Sequence, residues 1–354
     1  MAGMVNSLAI GLGTKDKKLG WLEFFFVEPC SGIDDKFLNQ LKKIITIPNQ
    51  TLSLNDDKVI ANLLAILDKT NDQHKKLIDF IAQATKKASY LSAKNRQLVA
   101  ILLTDDVALS DVGVAYLKLH LLSYRHFKPN ELNLTNIFSV LPNVAWSNKG
   151  PINPANVADE LWKARFTDDA LFIRSIDKFP RLTDYVIPAN VRIANSARIR
   201  LGAYLGSGTT VMHEGFINFN AGTQGPNMVE GRISAGVWVD ENSDLGGGAS
   251  TMGRLSGGGD ILISVGKNCL IGANAGLGIP LGDNCIIESG LYVTAGSKLK
   301  VLSKDGVIVS ESVKASQLSG KDNLLIRRNS LNGQIECLTT LAPASLNAEL
   351  HKNN

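Results

Sequence analysis

The hydrophobic positions in the second half of the chain follow a six-residue period. Aliphatic residues occupy every sixth position in successive runs: Ile187, Ile193, Ile199, Leu205, Val211 and Ile217; Ile233, Val239 and Leu245; Val265, Ile271 and Leu277; and Leu281, Ile287, Val293 and Leu299. A strand with one buried face has a period of 2 and an amphipathic helix a period of 3.6, so neither explains this pattern. A hexapeptide period predicts a coil of short strands whose repeated aliphatic side chains stack inside it.

The six-residue period is interrupted at residues 221–230 and again at the glycine-rich residues 246–260. A gap in a rigid repeat is typical of a loop that leaves the wall of the coil, and loops on rigid scaffolds often carry function. A harmless insertion is the alternative. We expect at least one of these interruptions to border a functional site.

The remainder of the chain has ordinary local patterns. Before the repeat, residues 8–19 are glycine-rich and turn-like, residues 21–27 indicate a strand, and apolar stripes predict helices over 55–67, 77–88, 92–103, 104–122, 159–165 and 168–176. After it, two hairpins are predicted over 301–309 and 324–341, followed by a helical or frayed tail. The chain therefore divides into an N-terminal domain (1–184) that is mixed α/β or largely α, a coil (185–302) and a C-terminal β-hairpin domain with its tail (303–354).

Composition and charge exclude several classes of protein. The net charge of +4 is too small to argue for nucleic acid as a partner. The chain has no signal-peptide pattern and no apolar run long enough to span a bilayer, which predicts no membrane association. The four cysteines form no CxxC pair, so we expect reduced thiols and a cytoplasmic protein.

Few residues in the predicted coil could carry chemistry. His213 is the only histidine within it, which excludes a zinc site with three histidines on one coil. His213 could act as a general base, although its place on an uninterrupted repeat favours a structural role. Glu230 is the strongest candidate, because it stands where the first interruption rejoins the repeat, and its carboxylate could accept a proton or an acyl group. Arg232 could bind a carboxylate beside it, or the two could form a salt bridge at the rim.

Several segments carry a family resemblance. They are residues 213–223 (HEGFINFNAGT), 228–234 (MVEGRIS), 246–250 (GGGAS), 288–296 (ESGLYVTAG) and 323–330 (NLLIRRNS). From about residue 185 to residue 338 the chain resembles the tetrahydrodipicolinate N-succinyltransferases in their longer-chain form, which are hexapeptide-repeat acyltransferases.

The resemblance implies a mainly β fold, in which an N-terminal α/β domain precedes a left-handed parallel β-helix and a small C-terminal β domain. It implies a cytoplasmic homotrimer that transfers succinyl from succinyl-CoA to the amino group of L-2-amino-6-oxopimelate, the ring-opened acceptor, in diaminopimelate and lysine biosynthesis. Small molecules would then be its partners. Glu230 would be catalytic, either as a general base or through an acyl anhydride, and the general base needs only positioning and proton removal.

The same resemblance implies a set of residues that contact the succinyl-CoA co-substrate. They are Arg232, Gly247, Ser250, Ala273, Glu288, Ser289, Gly296, Lys314, Arg327, Arg328, Asn329 and Ser330. Glycines would let the main chain approach the pantetheine arm, and cationic side chains would meet the CoA phosphates. Arg232 and Arg254 are available for the carboxylates of the acceptor.

Two further expectations concern a metal ion and alternative functions. Relatives can hold Mg²⁺ between subunits through a glutamate that corresponds to Glu214, but their second ligand, an aspartate, is replaced here by Ala197. A Mg²⁺ site would therefore depend on three copies of Glu214 around a trimer axis. The alternatives to the succinyltransferase are a hexapeptide acyltransferase that uses acetyl-CoA on an amine or sugar, and a non-enzymatic scaffold.

Overall fold

The structure is a computed structural model that describes residues 5–167, 169–255 and 260–339. Among these residues the chain forms two compact units. The first contains the residues up to Leu121 together with Glu131–Pro180, and the second contains Leu122–Asn130 together with the residues from Arg181 onwards. The coil and the C-terminal strands thus belong to one unit, and the predicted boundaries at 184 and 302 stay a prediction.

The first unit is an α/β arrangement around an antiparallel sheet. Its strands in chain order are β1 (Ser7–Asp16), β2 (Gly20–Phe26), β3 (Cys30–Ser31), β4 (Leu52–Ser53) and β5 (Arg96–Leu103). They are arranged in the order β2-β1-β5-β4, with β3 also paired to β1. The helices packed with this sheet are α1 (Asp35–Ile44), α2 (Asp57–Ile66), α3 (Asp72–Lys86) and α4 (Ala88–Ala93). Asp34, Asp56 and Asn71 cap the first three of these helices through their side chains.

Two predictions for this sheet are wrong. Residues 8–19 contain most of strand β1 rather than a turn, and residues 92–103 contain strand β5 rather than a helix. A Cβ atom at Gly11 would lie 1.9 Å from the carbonyl oxygen of Phe25, so this glycine serves close strand pairing and not a turn. The interior of β5 is a continuous apolar run, which periodicity alone cannot separate from a buried helix.

The rest of the first unit contains a second, smaller antiparallel sheet. The further elements are α5 (Val112–Ser123), which runs on into the second unit, α6 (Ile137–Val140), β6 (Val144–Ser147), β7 (Gly150–Ile152), α7 (Val157–Phe166) and β8 (Ile173–Asp177). Strand β6 pairs with both β7 and β8. The predicted helix over 159–165 is confirmed by α7, whereas the one over 168–176 is wrong, because residues 173–177 form β8; residue 168 lies outside the described residues.

The second unit contains a parallel β-helix. Its strands are β9 (Arg192–Ile193), β10 (Ala203–Leu205), β11 (Thr209–Val211), β12 (Phe216–Ile217), β13 (Ala221–Thr223), β14 (Asn227–Val229), β15 (Arg232–Ile233), β16 (Trp238–Val239), β17 (Asp244–Leu245), β18 (Ser250–Thr251), β19 (Ser264–Val265), β20 (Leu270–Ile271), β21 (Gly276–Leu277), β22 (Ile286–Ile287) and β23 (Tyr292–Val293). In the described part of the coil these strands form three parallel faces: β10-β13-β16-β19 is the first face, β9-β11-β14-β17-β20-β22 the second and β12-β15-β18-β21-β23 the third.

The aliphatic residues of the six-residue period form the core of this coil. Those from Ile199 to Leu299 are buried as predicted. Ile187 is instead 77% exposed, and Ile193 is partly buried, because the stacked strands begin only at Arg192. The coil therefore starts later than the period suggests.

The two interruptions behave differently. Residues 221–230 stay in the wall, where they form β13 and β14, so the prediction of a loop is wrong there. The second interruption contains β18, after which the chain leaves the wall; a bridge between Arg254 and Leu262 joins the two arms of this excursion. Residues 256–259 lie outside the described part of the chain.

The C-terminal strands form the two predicted hairpins. They are β24 (Lys298–Leu302), β25 (Ile308–Lys314), β26 (Leu324–Arg328) and β27 (Ile335–Thr339). Both hairpin predictions are confirmed, since β24 pairs antiparallel with β25 and β26 with β27. Strand β26 also pairs parallel with β22 and so extends the second face. The predicted tail over 342–354 lies outside the described residues, and within the described ones no helix has the length and apolarity needed to cross a membrane.

Candidate active site

The residues that follow strands β14, β17, β20 and β22 stack, together with the last two residues of β26, into a column at one corner of the coil. Val229, Leu245, Ile271, Ile287 and Ile326 are paired in register across neighbouring coils. The two residues after each of them form what we call the corner column: Glu230–Gly231, Gly246–Gly247, Gly272–Ala273, Glu288–Ser289 and Arg327–Arg328. Main-chain hydrogen bonds of 2.8–3.0 Å join each level of the column to the next strand, from the amide of Glu230 onwards.

The corner column brings together many of the residues predicted for the site. They are Glu230, Gly247, Ala273, Glu288, Ser289, Arg327 and Arg328. Neighbouring parallel strands lie about 4.8 Å apart, so Glu230 and Glu288, three levels apart, are separated by roughly 14 Å along the column. An extended ligand could therefore contact several levels at once.

The first three levels of the column, from Glu230 to Ala273, are rich in glycine. A Cβ atom at Gly247 would lie 3.4 Å from Oε2 of Glu230, so the half-buried carboxylate rests against a glycine. Cβ atoms at Gly246 and Gly272 would lie 2.8 Å from the amide nitrogen of Ala273 and 2.5 Å from that of Ser289. Glycine is thus needed at these two positions for successive turns of the β-helix to stack closely.

A second row, which contains the predicted residues Arg232 and Ser250, lies on the outer side of the third face. Arg232, Ser250, Gly276 and Tyr292 are paired in register there. Nε and Nη2 of Arg232 donate to Oγ of Ser250 at 3.1 and 2.7 Å. The two predicted residues are in contact because they lie on neighbouring turns of the β-helix. Their spacing in the sequence did not reveal this contact.

The sequence reasoning did not select Tyr292, although its motif had been noted. A Cβ atom at Gly276 would lie 2.1 Å from the ring of Tyr292, so the ring covers this glycine, and Tyr292 itself is 47% exposed. The sequence signal for this contact was a glycine at a position that faces out of the β-helix, paired with an aromatic residue on the neighbouring strand.

The lower end of the column is cationic and tightly hydrogen-bonded. The amide of Arg328 donates to Oε2 of Glu288 at 2.5 Å. Arg327 and Asn329 both donate to Glu336, a buried carboxylate that sequence reasoning missed. Arg328 and the nearby Ser330 are exposed.

Gly296 and Lys314, two more of the predicted contacts, lie neither in the column nor in the row on the third face. Gly296 belongs to the turn between β23 and β24, where a Cβ atom would meet nothing within 4 Å. Lys314 ends strand β25 opposite Lys298 and is exposed. Arg254, suggested for the acceptor, forms an exposed ion pair with Asp260 at 2.9 Å.

The surroundings of Glu214 do not fit a metal site within one chain. Its carboxylate is exposed and lies 3.9 Å from Nη2 of Arg198, a cation where a metal site would need further oxygen ligands. Among residues 5–167, 169–255 and 260–339, no group of three His, Cys, Asp or Glu side chains could hold an ion. His213, the alternative base, is exposed.

A cavity of about 400 Å³ lies elsewhere, in the first unit. Its lining includes Lys15, Asn153 and Lys163, and it contains none of the predicted site residues. The corner column is an open surface of the single chain, and an open surface can be completed by a second chain.

Known proteins similar to the chain identify its family. A model of the "hexapeptide repeat of succinyl-transferase" matches residues 262–295, and a model of the "tetrahydrodipicolinate N-succinyltransferase middle" matches residues 141–181. A 2,3,4,5-tetrahydropyridine-2,6-dicarboxylate N-succinyltransferase of Pseudomonas aeruginosa is 49% identical over 358 residues, which is 100% of both chains. The chain belongs to the tetrahydrodipicolinate N-succinyltransferase family.

Two other comparisons agree with this family. A Vibrio cholerae protein of the same name as the P. aeruginosa one is 47% identical and covers 98% of this chain and 99% of its own. A crystal structure from Campylobacter jejuni, named as a 2,3,4,5-tetrahydropyridine-2-carboxylate N-succinyltransferase, superposes with a TM-score of 0.78 at 32% identity, over 94% of this chain and 92% of that one.

Membership of this family confirms the fold class and the enzyme class. The fold is a left-handed parallel β-helix with an N-terminal α/β domain and a small C-terminal β domain, and the chain is an acyltransferase. The acetyl-CoA alternative is not favoured, because the relatives are named succinyltransferases.

Proposed function

We propose that this enzyme transfers the succinyl group of succinyl-CoA to the amino group of ring-opened tetrahydrodipicolinate, with Glu230 as general base. The reaction is supported by relatives that match 98–100% of this chain and are named succinyltransferases. The corner column supports the assignment of residues, because it places a half-buried carboxylate beside glycines and in line with a cationic end.

In the proposed reaction, the amine nitrogen of the acceptor attacks the thioester carbonyl and forms the C–N bond. Glu230 takes the proton that the nitrogen loses, and the C–S bond breaks so that CoA leaves as a thiolate, which then gains a proton. A carboxylate held against a glycine can approach the reacting nitrogen closely. We prefer this path to an acyl anhydride on Glu230, because the direct attack needs only positioning and proton removal.

The donor would lie along the corner column and the neighbouring third face. An added Cβ atom at Gly247 would have Oε2 of Glu230 at 3.4 Å as its one close neighbour among the described residues, which leaves room there for the pantetheine arm. Arg328 and Lys314 provide exposed cations for phosphates. Arg232 would bind a carboxylate of the acceptor or donor, and its hydrogen bond to Oγ of Ser250 supports this role by orienting the guanidinium. Ser330 and Gly296 would contribute main-chain contacts.

We also propose that the active assembly is a homotrimer in which a neighbouring chain closes the corner column. An open surface around the candidate base supports this proposal, since catalysis of acyl transfer needs water to be excluded. No step of the reaction uses Mg²⁺, and Glu214 would meet its copies only at the trimer axis. Four free thiols support a cytoplasmic location.

The reaction is tested by measuring free thiol release with the acceptor and either succinyl-CoA or acetyl-CoA. We expect succinyl-CoA to be strongly preferred; equal use of both donors would overturn the assignment. Glu230→Gln should lower kcat by roughly a thousandfold, within the range for loss of a general base. Glu241→Gln is the matched control, because Glu241 also lies in the β-helix and forms a surface ion pair with Lys267 at 2.8 Å. Full turnover by the Glu230 variant would remove its catalytic role.

The trimer is tested by sedimentation combined with activity at decreasing protein concentration. We expect the specific activity to fall as the assembly dissociates. A fully active monomer would contradict the proposal.

A further inference from the structure

A buried carboxylate sits behind the cationic end of the corner column. Glu336, on β27, is 5% exposed. Its Oε2 accepts hydrogen bonds from Nε and Nη2 of Arg327 at 3.3 and 3.2 Å, and its Oε1 accepts one from Nδ2 of Asn329 at 2.7 Å. Both oxygens are therefore engaged by residues that we assign to the donor site.

This arrangement holds the turn between β26 and β27 in one shape. A buried charge is costly unless it is paired and hydrogen-bonded. Moving Arg327 or Asn329 away from Glu336 would therefore raise the free energy of the folded chain. Main-chain bonds of 2.8 Å, from Asn329 to Gln334 and from Gly333 to Asn329, close the same turn. The side chains and the main chain thus restrain one segment together.

The consequence concerns which cation meets the donor. The charge of Arg327 is balanced by Glu336. The side chain of Arg328 is exposed, and within residues 5–167, 169–255 and 260–339 it donates only a long bond of 3.5 Å, to the carbonyl oxygen of Gly333. The amide of Arg328 is fixed by Glu288. Arg328 is therefore held by its main chain and presents its guanidinium outwards.

We propose that Glu336 is a positioning residue for donor binding, which holds Arg327 and Asn329 so that residues 328–330 present a preformed surface to the phosphates of succinyl-CoA. This inference rests on the proposed function. It deepens that proposal by separating the phosphate-binding cation, Arg328, from the cation that shapes the turn, Arg327.

The experiment compares Glu336→Gln and Glu336→Ala with the wild-type enzyme in steady-state kinetics, with each substrate varied in turn. Glutamine keeps an oxygen for Asn329 but loses the charge that orients Arg327. We expect Glu336→Gln to raise the KM for succinyl-CoA about tenfold and Glu336→Ala to raise it further, with kcat within about twofold and the acceptor KM unchanged. Glu311→Gln is the control, because Glu311 pairs with Lys300 at 3.0 Å in the C-terminal strands but is exposed.

A shortened donor, succinyl-pantetheine, locates the effect. Because it lacks the nucleotide phosphates, Glu336→Gln and the wild-type enzyme should use it equally well. A merely structural role would instead lower the active fraction, and so kcat, with both donors. The inference is overturned if the variants keep the wild-type KM for succinyl-CoA, if donor and acceptor KM rise together, or if the shortened donor shows the same loss. Failure of the wild-type enzyme to release CoA from succinyl-CoA would instead overturn the proposed function.

Discussion

The two units bury apolar surface in different ways. The first unit has a core of large side chains, including the fully buried Phe24, Phe26 and Tyr116, whose rings pack at centroid distances of 5.8–6.0 Å. The buried core cluster of the described coil instead consists of aliphatic side chains and cysteines without an aromatic ring, and the aliphatic ones lie one above another on successive strands. In the first unit, distant segments must fit one another; in the coil, each strand needs to match only the strands before and after it.

This difference explains where chemistry can be placed. On the second face of the coil, each buried aliphatic residue is followed directly by two corner residues. A corner residue can therefore differ from one turn to the next while the core stays the same. Glu230, Glu288 and Arg327 occupy equivalent positions of the column, yet each has a different role in the proposed site. A repeated backbone therefore supplies position, and the individual side chain supplies chemistry.

The largest expected effect comes from truncating one core leucine in each unit. Leu63→Ala in the first unit and Leu277→Ala in the coil each remove a fully buried side chain and should lower the free energy of unfolding by about 3 kcal/mol. We expect Leu277→Ala to increase hydrogen exchange mainly at its stacked neighbours, Thr251 and Val293, whereas Leu63→Ala should increase it throughout its core. Equally widespread exchange in both variants would remove the contrast between the two cores.

The next largest effect is a pH dependence of the free energy of unfolding, which we expect from the buried His120 in the core of the first unit. Burial lowers the pKa of His120 from 6.5 to about 4, although a hydrogen bond from its Nδ1 to the carbonyl oxygen of Tyr116 acts in the opposite direction. Because the unfolded chain binds this proton more tightly, the neutral ring stabilises the fold above about pH 6.5, and this contribution is lost as the pH falls towards 4. It is on the order of 3 kcal/mol.

Chemical unfolding at several pH values measures this contribution. Between pH 7 and pH 5 the wild type should lose more stability than His120→Asn, whereas His213→Asn, at an exposed site of the coil, should follow the wild type. If the free energy of unfolding of the wild type and of His120→Asn fell by the same amount between pH 7 and pH 5, the prediction would be contradicted.

A smaller effect separates glycines that the coil needs from a glycine that the ligand needs. Gly272→Ala would place a Cβ atom 2.5 Å from the amide nitrogen of Ser289 and should cost about 1–3 kcal/mol of stability. Gly296→Ala meets nothing within 4 Å and should change stability by less than about 0.5 kcal/mol.

The same pair tests whether Gly296 contacts the donor. If the donor's main-chain approach needs this glycine, Gly296→Ala should raise the KM for succinyl-CoA while thermal unfolding stays unchanged. An unchanged KM would remove Gly296 from the site.

The smallest effect on stability is expected at Arg232. Its contact with Ser250 is exposed, so Arg232→Ala should change stability by less than about 0.5 kcal/mol. Its loss should nevertheless lower kcat/KM by roughly tenfold or more, because the proposed charge-assisted contact to a substrate carboxylate would be removed. Ser250→Ala should have a weaker effect in the same direction, and wild-type kinetics for Arg232→Ala would exclude it from the site.

Much of the coil could be predicted, because its information is local. The six-residue period predicted the core from Ile199 onwards, and turn residues predicted both C-terminal hairpins. The first unit was harder, because β5 is buried on both sides and its apolar run has no period that distinguishes a strand from a helix. Only its pairing with β1 and β4 makes it a strand.

The candidate site shows the same limit. Glu230 was recognisable from its motif and its place in the repeat, but Glu336 was not, because its importance depends on Arg327 and Asn329 across a hairpin. Tyr292 is significant only because its ring covers Gly276 on the neighbouring turn of the β-helix. Contacts of this kind join residues at separations that no local pattern records.

The sequence by itself determined the repeat, the family motifs and the identity of the residues that could carry the reaction. The tertiary structure alone decided that Ile187 stays outside the core, that residues 221–230 remain in the wall, and that Glu230 and six of the predicted contacts stack into one column. The physical reason is that periodicity encodes which side of a strand faces inwards, whereas the end of the coil and the partners of each corner residue depend on which strands pair.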